Sequence, residues 1–255
     1  MPKIEILYGI HPVREALRAL RREFIEVYLS KETDSERLDK IAGNADRLNI
    51  PVKWIDSEKL KAVTGTDMHQ GVGAKVGPYP YAELFSVLES GNESKKPFLM
   101  LLDHLIDPQN LGAIIRTALC IGVNAVIIPK DRSAGPTPAV SRVSAGALEH
   151  IRLCRVTNMV NTIKMLKESG IWVLGLDRSA KSSIYSIDLT DGVGIVIGGE
   201  DRGIRQLVKQ HCDDLISIPQ TSVFNSLNAS VAGAVVMYEA FRQRTMPERS
   251  MIEIQ

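Results

Sequence analysis

The α/β character of this chain is clearest at residues 107–117, which read DPQNLGAIIRT. The apolar run Phe98–Leu102 before them predicts a buried strand, and the turn-forming residues in between predict the start of a helix. Leucine and isoleucine then recur at helical spacing, but Arg116 breaks the apolar face six residues after Asn110. Ligands of open α/β sheets bind beyond the carboxyl ends of the strands. The segment therefore fits either the rim of a binding site or an ordinary strand–helix turn with a surface arginine.

Strand and helix patterns alternate from Phe98 onward. Apolar runs predict strands, and amphipathic or small-residue runs between them predict helices. This alternation predicts an α/β fold with a mostly parallel sheet that helices cover on both faces. The predicted strands are 98–102, 125–128, 150–154, 171–176, 194–197 and 215–218, and the predicted helices are 111–121, 139–145, 159–168, 204–211 and 228–244.

A smaller α/β unit precedes this region. Residues 1–77 carry helical patterns and short strand patterns that are sufficient for a small unit able to fold by itself. Proline, glycine and polar residues are frequent in 78–97, which predicts a linker. We therefore predict a second, larger domain at 98–246 and a C-terminal tail at 247–255.

Composition and charge exclude several classes of protein. The 255 residues are 44% hydrophobic and 24% charged, as in ordinary globular proteins, and the net charge of +1 leaves only a local patch for any nucleic acid. The histidines and cysteines lack metal-ligand spacing, so no metal is predicted. No signal peptide or membrane-span pattern is present, and the cysteines fit reduced thiols, which predicts a cytoplasmic protein.

One predicted helix in the first domain carries arginines opposite its apolar face. They are Arg14, Arg18, Arg21 and Arg22, with only Glu15 to one side. Such a stripe is either a solvated helix face or a surface that contacts phosphates, because a guanidinium pairs well with phosphate oxygens. Both interpretations stay open on the sequence alone.

Two further segments end a predicted strand in glycines or polar residues. IVIGGEDRGI, at 195–204, runs into Gly198, Gly199 and Glu200, and its glycine spacing fits neither a dinucleotide fingerprint nor a phosphate-binding loop. SIPQTSVFNSLNASVAGA, at 217–234, ends a strand and begins a helix of small residues, where Ser226 and Asn228 are natural cap residues. Glycine lets a backbone approach a ligand closely. Each segment alone also fits a simple turn.

Taken together, the three segments resemble the motifs of the SpoU-type branch of the SPOUT methyltransferases, the TrmH family. The first domain is also similar to the small substrate-binding domain of that family, through residues 8–13 and 69–71. The combination resembles the bacterial 23S rRNA guanosine 2′-O-methyltransferases most. The matching residues of the three segments are Asn110, Gly112, Arg116, Gly198, Glu200, Gly203, Ile218, Pro219, Ser226, Leu227, Asn228 and Ser230.

The resemblance implies a fold, a cofactor and partners. It implies that 98–246 is a catalytic domain with a trefoil knot and that 1–77 is a ribosomal-protein-like RNA substrate-binding domain. S-adenosyl-L-methionine is the implied cofactor, RNA (23S rRNA or a ribosome precursor) the implied substrate, and a homodimer the implied assembly. The cofactor contacts of the family transfer to Gly198, Gly199, Ile218, Leu227 and Asn228. Gln220 and Ser222 depart from the family pattern, which puts the geometry of the cofactor loop in question.

The implied reaction transfers a methyl group to a ribose 2′-hydroxyl. The resemblance implies Arg116, Asn110, Glu200, Ser226 and Asn228 as the catalytic residues. A sulfonium methyl is already electrophilic, so the enzyme must align the reacting atoms and remove a proton. Arg116 would act as the base or, because a guanidinium is normally protonated, would bind the adjacent phosphate and polarise the hydroxyl. Asn110 would position Arg116 or the ribose, and Glu200 would orient Arg116 or accept a proton through water. Ser226 and Asn228 would shape the pocket, and the four arginines of the first domain would hold the RNA backbone.

Other functions remain as alternatives. The same chemistry on tRNA is the nearest, because only the resemblance of the first domain favours rRNA. A non-catalytic RNA-binding scaffold with this fold is the next, although Asn110, Arg116, Glu200 and Asn228 are all present. A nicotinamide-dependent enzyme is disfavoured, since the dinucleotide fingerprint is missing.

Overall fold

The computed structural model describes residues 4–33, 35–89, 96–200, 202–221 and 226–246. The chain forms two compact units. The first comprises Met1–Pro80 and Gly135–His150, and the second comprises Tyr81–Ala134 and Ile151–Gln255. No described helix combines the length and apolar character that crossing a membrane requires. The predicted tail at 247–255 lies outside the described residues.

The helices and strands follow one another in chain order. The strands are β1 (Glu5–Tyr8), β2 (Phe24–Ser30), β3 (Val52–Ile55), β4 (Val72–Val76), β5 (Phe98–Asp103), β6 (Ala125–Pro129), β7 (Leu153–Val156), β8 (Trp172–Leu176), β9 (Ser182–Ser183), β10 (Val193–Gly198) and β11 (Asp214–Ser217). The helices are α1 (Ile10–Ala19), α2 (Glu36–Arg47), α3 (Ser57–Thr64), α4 (Leu84–Glu89), α5 (Pro108–Cys120), α6 (Pro138–Val143), α7 (Met159–Glu168), α8 (Gln206–Lys209) and α9 (Ala229–Thr245), with a short 3-10 turn at Ala147–Glu149.

The first unit is built on a four-stranded sheet in the order β1-β4-β2-β3. Strand β4 is antiparallel to both of its neighbours, and β2 is parallel to β3. Apolar side chains of α1 and α2, among them Leu17, Leu38 and Ile41, are buried in one cluster with Leu7 and Val27 of the sheet. This apolar core is what allows so small a unit to hold its shape.

A buried ion pair ties Gly135–His150 to the first unit. Glu149 receives hydrogen bonds from Arg22 Nε at 2.7 Å and from Ser141 Oγ at 2.8 Å, and both charged side chains are almost fully buried. The predicted second domain, 98–246, runs through this segment without interruption, whereas the structure groups the segment with the first unit. A contact between residues so far apart in the chain leaves no periodic signal in the sequence.

The second unit contains a seven-stranded sheet in the order β7-β6-β5-β10-β8-β11-β9. Every neighbouring pair is parallel. Strands β5, β6 and β10 are buried along their whole length, as expected where helices cover both faces of a sheet. The predicted mostly parallel α/β fold is therefore confirmed, and the carboxyl ends of all these strands meet at one edge.

Some predicted boundaries differ from the structure. The predicted strand 150–154 begins only at Leu153, because a 3-10 turn occupies 147–149. The predicted helix 204–211 is reduced to Gln206–Lys209, since Arg205 before it has extended backbone angles and its side chain is held by Asp103. The predicted linker contains the short helix α4, and its residues 90–95 lie outside the described parts of the chain.

Candidate active site

Three polar side chains, one from each sequence motif, meet at the carboxyl edge of the parallel sheet. Asn110 Nδ2 donates to Glu200 Oε1 at 2.7 Å, and Asn228 Nδ2 donates to the same oxygen at 2.5 Å. Asn228 Nδ2 also lies 2.9 Å from Asn110 Oδ1. The two amides therefore fix the Glu200 carboxylate in one orientation and leave its other oxygen with no hydrogen bond from the described residues.

Helix capping places the two asparagines. Asp107 caps α5 by accepting from Gln109 N, and Pro108 begins the helix, so Asn110 falls in its first turn and is buried. Asn228 caps α9 itself, because its Oδ1 accepts from Ser230 N at 2.9 Å. The cap uses the oxygen of Asn228 and the site uses its nitrogen. The cap that the sequence predicts at Asn228 is therefore present, and the same side chain also contacts Glu200.

Arg116 lies on another side of α5. Its side chain is exposed, and it has no hydrogen bond or ion pair with any residue that the structure describes. Six residues of α-helix amount to about 240° beyond one full turn, so Arg116 and Asn110 point in different directions. In the structure neither Asn110 nor Glu200 contacts Arg116, and the two contact each other instead.

The loop after β10 requires glycine. A Cβ atom on Gly198 would lie 1.9 Å from the carbonyl carbon of Gly203, and one on Gly199 would lie 2.6 Å from the carbonyl oxygen of His104. The loop closes on itself through a hydrogen bond from Gly203 N to Gly199 O at 2.9 Å. Gly199 N also donates to Asp103 O at the end of β5. No residue with a side chain fits at Gly198 or at Gly199.

A cavity of about 440 Å³ lies beside this loop, at the ends of β8, β10 and β11. Most of the predicted site residues of the second and third motifs line it, whereas Asn228, which contacts Glu200, is not part of the wall. The volume of the cavity falls in the usual range of small-molecule sites. The predicted residues in the wall are Gly198, Gly199, Glu200, Ile218, Ser226 and Leu227.

Comparison with protein families agrees with the three motifs. Residues 97–238 match the profile described as the SpoU rRNA Methylase family, and residues 6–82 match the one described as RNA 2′-O ribose methyltransferase substrate binding. This chain belongs to the SpoU rRNA methylase family. The resemblance that the motifs indicated is thereby confirmed.

Named relatives of this SpoU family member cover nearly its whole length. The 23S rRNA (guanosine-2′-O-)-methyltransferase RlmB of Photorhabdus laumondii is 40% identical over 244 residues, which are 94% of this chain and 99% of the relative. The enzyme of the same name from Pasteurella multocida is 41% identical over 244 residues, 94% of this chain and 98% of the relative.

Solved structures share the fold of this SpoU family member. The SpoU methyltransferase AviRb of Streptomyces viridochromogenes, in complex with the cofactor AdoMet, superimposes with a TM-score of 0.80 at 23% sequence identity. The match covers 94% of this chain and 90% of that one. The two-part architecture is therefore found in other proteins of low sequence identity.

The cavity of this SpoU family member has polar residues that the sequence motifs did not indicate. Asp177 follows β8 and forms a close ion pair with Lys209, while Ser179 N donates to Asp177 Oδ1 at 2.9 Å. Burial raises the pKa of Asp177, but the hydrogen bonds from Lys209 and Ser179 outweigh it and bring the pKa to about 2. Asp177 is thus ionised at neutral pH. A polar residue directly after a buried strand is the signal that could have revealed it.

The four arginines do not form one helical face. Helix α1 ends at Ala19, where Leu20 takes a left-handed conformation, so Arg21 and Arg22 lie beyond the helix. Arg22 is fully buried between Glu149 and Glu5, which is incompatible with binding RNA. Arg21 donates to Pro80 O at 3.1 Å and is partly buried.

Arg14 and Arg18 remain at the surface of the first unit. Both pair with Glu15 Oε1, at 2.8 and 3.2 Å, and Glu15 also contacts His150. Burial raises the pKa of Glu15, but the contacts with His150 and Arg14 outweigh this effect. The pKa of Glu15 therefore lies below its ordinary value, and the carboxylate stays charged. Two partly neutralised arginines make a weaker positive surface than the sequence indicated.

Of the two departures from the family pattern, Gln220 lies in the wall of the cavity and is exposed. Ser222 lies outside the described residues. No group of three His, Cys, Asp or Glu side chains that could hold a metal ion occurs in the described part of the chain.

Proposed function

We propose that this chain transfers the methyl group of S-adenosylmethionine to the 2′-hydroxyl of a guanosine ribose in 23S rRNA. The observation that carries the proposal is the convergence of Asn110, Glu200 and Asn228 beside a cavity bounded by the glycine loop. The named relatives with this activity match nearly the whole chain. The RNA 2′-O ribose methyltransferase substrate-binding profile supports the same substrate class.

The cavity suits the proposed cofactor. Ile218 and Leu227 provide apolar surface, the glycine loop exposes backbone, and Glu200 provides a carboxylate. Bound there, S-adenosylmethionine would supply an activated methyl group on a cationic sulfur. A carboxylate in the wall is complementary to that positive charge. Gly198, Gly199, Ile218 and Leu227 would hold the cofactor, with Ser226 shaping the pocket.

Glu200 is suited to receive the hydroxyl of the ribose. The amides of Asn110 and Asn228 occupy Oε1 and hold the carboxylate still, so its other oxygen can accept a hydrogen bond from the 2′-hydroxyl. A fixed acceptor aligns the hydroxyl oxygen for attack and can take up its proton or pass it to water. Arg116, exposed and charged, would bind the phosphate beside that ribose.

The remaining features of the family are also proposals for this chain. Arg14 and Arg18 would contact the RNA backbone from the first unit, residues 1–77 would bind the substrate, and 98–246 would hold the catalytic centre. The second unit would contain a trefoil knot. A ribosomal-RNA substrate would place the enzyme in the cytoplasm.

A homodimer is supported by α9. One side of this helix packs inward, where a Cβ on Gly233 would lie 3.0 Å from the side chain of Ile197. On its outer side Val231 and Tyr238 are 48% and 55% exposed. A second copy of the chain would bury this apolar surface.

Arg116→Ala tests the proposed function. We expect loss of methyl transfer to 23S rRNA with unchanged affinity for S-adenosylmethionine, measured by calorimetry, because Arg116 is outside the cavity wall. Lys164→Ala, which removes an exposed charge from α7, should retain full activity. Near-normal turnover by the Arg116 variant would refute this assignment.

A further inference from the structure

A second cavity, of about 510 Å³, opens at the same carboxyl edge over the other half of the parallel sheet. His104 follows β5, Arg132 follows β6, and Asn158 follows β7, and all three line it together with Arg205. Strand β5 is the direct neighbour of β10, whose end forms the glycine loop. The cavity thus lies alongside the candidate active site, and the chemistry described above does not use it.

Basic side chains dominate the polar wall of this cavity. Arg132 and Arg205 are both exposed, His104 adds an imidazole, and Asp131 is the acid among the described residues of the wall. The ten-residue helix α7 begins in the wall at Met159, which adds the partial positive charge of a helix N-terminus. The arrangement favours an anion.

Arg205 is held in place by a fully buried carboxylate. Its Nε and Nη2 atoms donate to Asp103 Oδ1 at 2.9 and 2.6 Å, and its backbone N donates to Oδ2 at 2.9 Å. Asp103 has no exposed surface, whereas the Arg205 side chain is 43% exposed. Its Nη1 group has no hydrogen-bond partner among the described residues. The charge of Arg205 is therefore preorganised at the cavity with a donor to spare.

The loops that carry His104 and Arg132 are fixed in an uncommon conformation. Both residues have left-handed backbone angles, with φ of 59° and 54°. The two loops are joined to each other, since Leu105 O accepts from Ala134 N at 2.8 Å and from Ser133 Oγ at 3.2 Å. Strained residues persist where the surroundings enforce them, and they concentrate at functional sites.

We propose that this cavity binds a phosphate group of the RNA chain next to the ribose that receives the methyl group. The inference rests on the proposed function, because it takes RNA as the substrate. Arg132 and Arg205 would hold the phosphate oxygens, and His104 would contribute a further donor. Leu207, which is 59% exposed, provides apolar surface in the wall against which the sugar or base of that nucleotide packs.

The position of the cavity supports an RNA phosphate in particular. Strand β5 ends at the cavity and leads into α5, which carries Asn110 and Arg116. A ribose seated beside Asn110 and Glu200 therefore has its neighbouring nucleotides along this edge of the sheet. Arginine forks match phosphate oxygens in pairs, and phosphate contacts set the register of a nucleic acid on a protein.

Arg132→Gln tests the proposal, with Lys164→Gln as the control that removes one exposed charge elsewhere in the same unit. We expect Arg132→Gln to weaken binding of a full-length 23S rRNA transcript about tenfold. The slope of log K against log salt concentration should become shallower by about 0.7 to 0.9, as for one lost phosphate contact. The Kd for S-adenosylmethionine should not change. Lys164→Gln should match the wild type, and Arg132→Lys should lose less RNA affinity than Arg132→Gln because it keeps the charge.

The outcomes separate the proposal from the function on which it rests. A wild-type protein that neither binds nor methylates the transcript would overturn both. A wild type that methylates it, with Arg132→Gln showing unchanged affinity and salt slope, would overturn the phosphate site alone. The phosphate site also fails if Arg132→Gln weakens S-adenosylmethionine binding, or if Arg132→Lys loses as much RNA affinity as Arg132→Gln does.

Discussion

The amide nitrogen of Asn228 lies 2.5 Å from Glu200 Oε1 while the amide oxygen of the same side chain caps α9. One residue therefore joins a helix start to the carboxylate of the candidate active site. Capping needs only the oxygen of the side chain, and the contact with Glu200 needs only the nitrogen. The two roles can be separated by a single substitution.

Asn228→Asp is that substitution. Aspartate caps helices as well as asparagine does, so the thermal unfolding temperature should change little. A second carboxylate beside Glu200 replaces a donor with a repelling charge, and we expect kcat for methyl transfer to fall at least about 100-fold. Ser35→Asp, which places aspartate at the cap of α2, should leave kcat unchanged. A fully active Asn228→Asp enzyme would contradict the assigned role of the amide.

Gly198→Ala should abolish cofactor binding. Its Cβ would overlap the backbone of Gly203, so the loop beside the cavity must move. Calorimetry with S-adenosylmethionine should show no binding, and the thermal unfolding temperature should fall. In Gly43→Ala the added methyl meets no neighbour and lies in α2, so this control should gain about 0.5–1 kcal/mol of stability. Wild-type cofactor affinity in Gly198→Ala would show that the loop is not needed.

Arg22 should contribute to the stability of the fold, and Arg18 should contribute to RNA binding. Arg22→Gln leaves the buried Glu149 without its partner and should lower the free energy of unfolding by about 3–5 kcal/mol in urea denaturation. The pair between Arg18 and Glu15 is exposed on the arginine side, so Arg18→Gln should cost less than about 1 kcal/mol. Arg18→Gln should, however, weaken RNA binding and make the salt dependence of that binding shallower. Equal stability of the two variants would argue against the buried role of Arg22.

His104 should report the positive charge of the second cavity. Burial lowers the pKa of His104 below its ordinary value of 6.5, and the nearby Arg205 lowers it further. Asp103 raises this pKa by less than Arg205 lowers it, and Arg132 lowers it by the smallest amount. Arg132→Gln removes one of these cations, so the pKa should rise toward 6.5, as followed by NMR titration of the imidazole protons. Lys164→Gln should leave it in place. A pKa that is unmoved by Arg132→Gln would mean that Arg132 does not act on the cavity.

Local patterns predicted much of the second unit. Helix α7 begins and ends where its periodicity indicates, and strands β5, β6 and β10 follow from apolar runs bounded by turns. The glycines and the polar residues after these strands identified part of the cavity wall, among them Gly198, Gly199 and Glu200. Such features are local in sequence, so a single chain reveals them.

Local sequence patterns did not predict the contacts between residues that are distant in sequence. Nothing near Arg22 in sequence indicates that Glu149 will bury it, and nothing near Asp103 indicates Arg205. The left-handed Leu20, which ends α1 before the last two arginines, is not a residue that usually ends a helix in this way. These features depend on which elements pack together, and they decided which predicted residues reach the surface.

The most direct test of the proposed function follows an isotope-labelled methyl group from S-adenosylmethionine into RNA. The purified protein is incubated with 23S rRNA and tRNA from a strain that lacks it, and the nucleosides of each RNA are separated and analysed by mass spectrometry. We predict label in 2′-O-methylguanosine from 23S rRNA and none in tRNA. Label in tRNA nucleosides, label on a base, or no label in either RNA would contradict the proposed function.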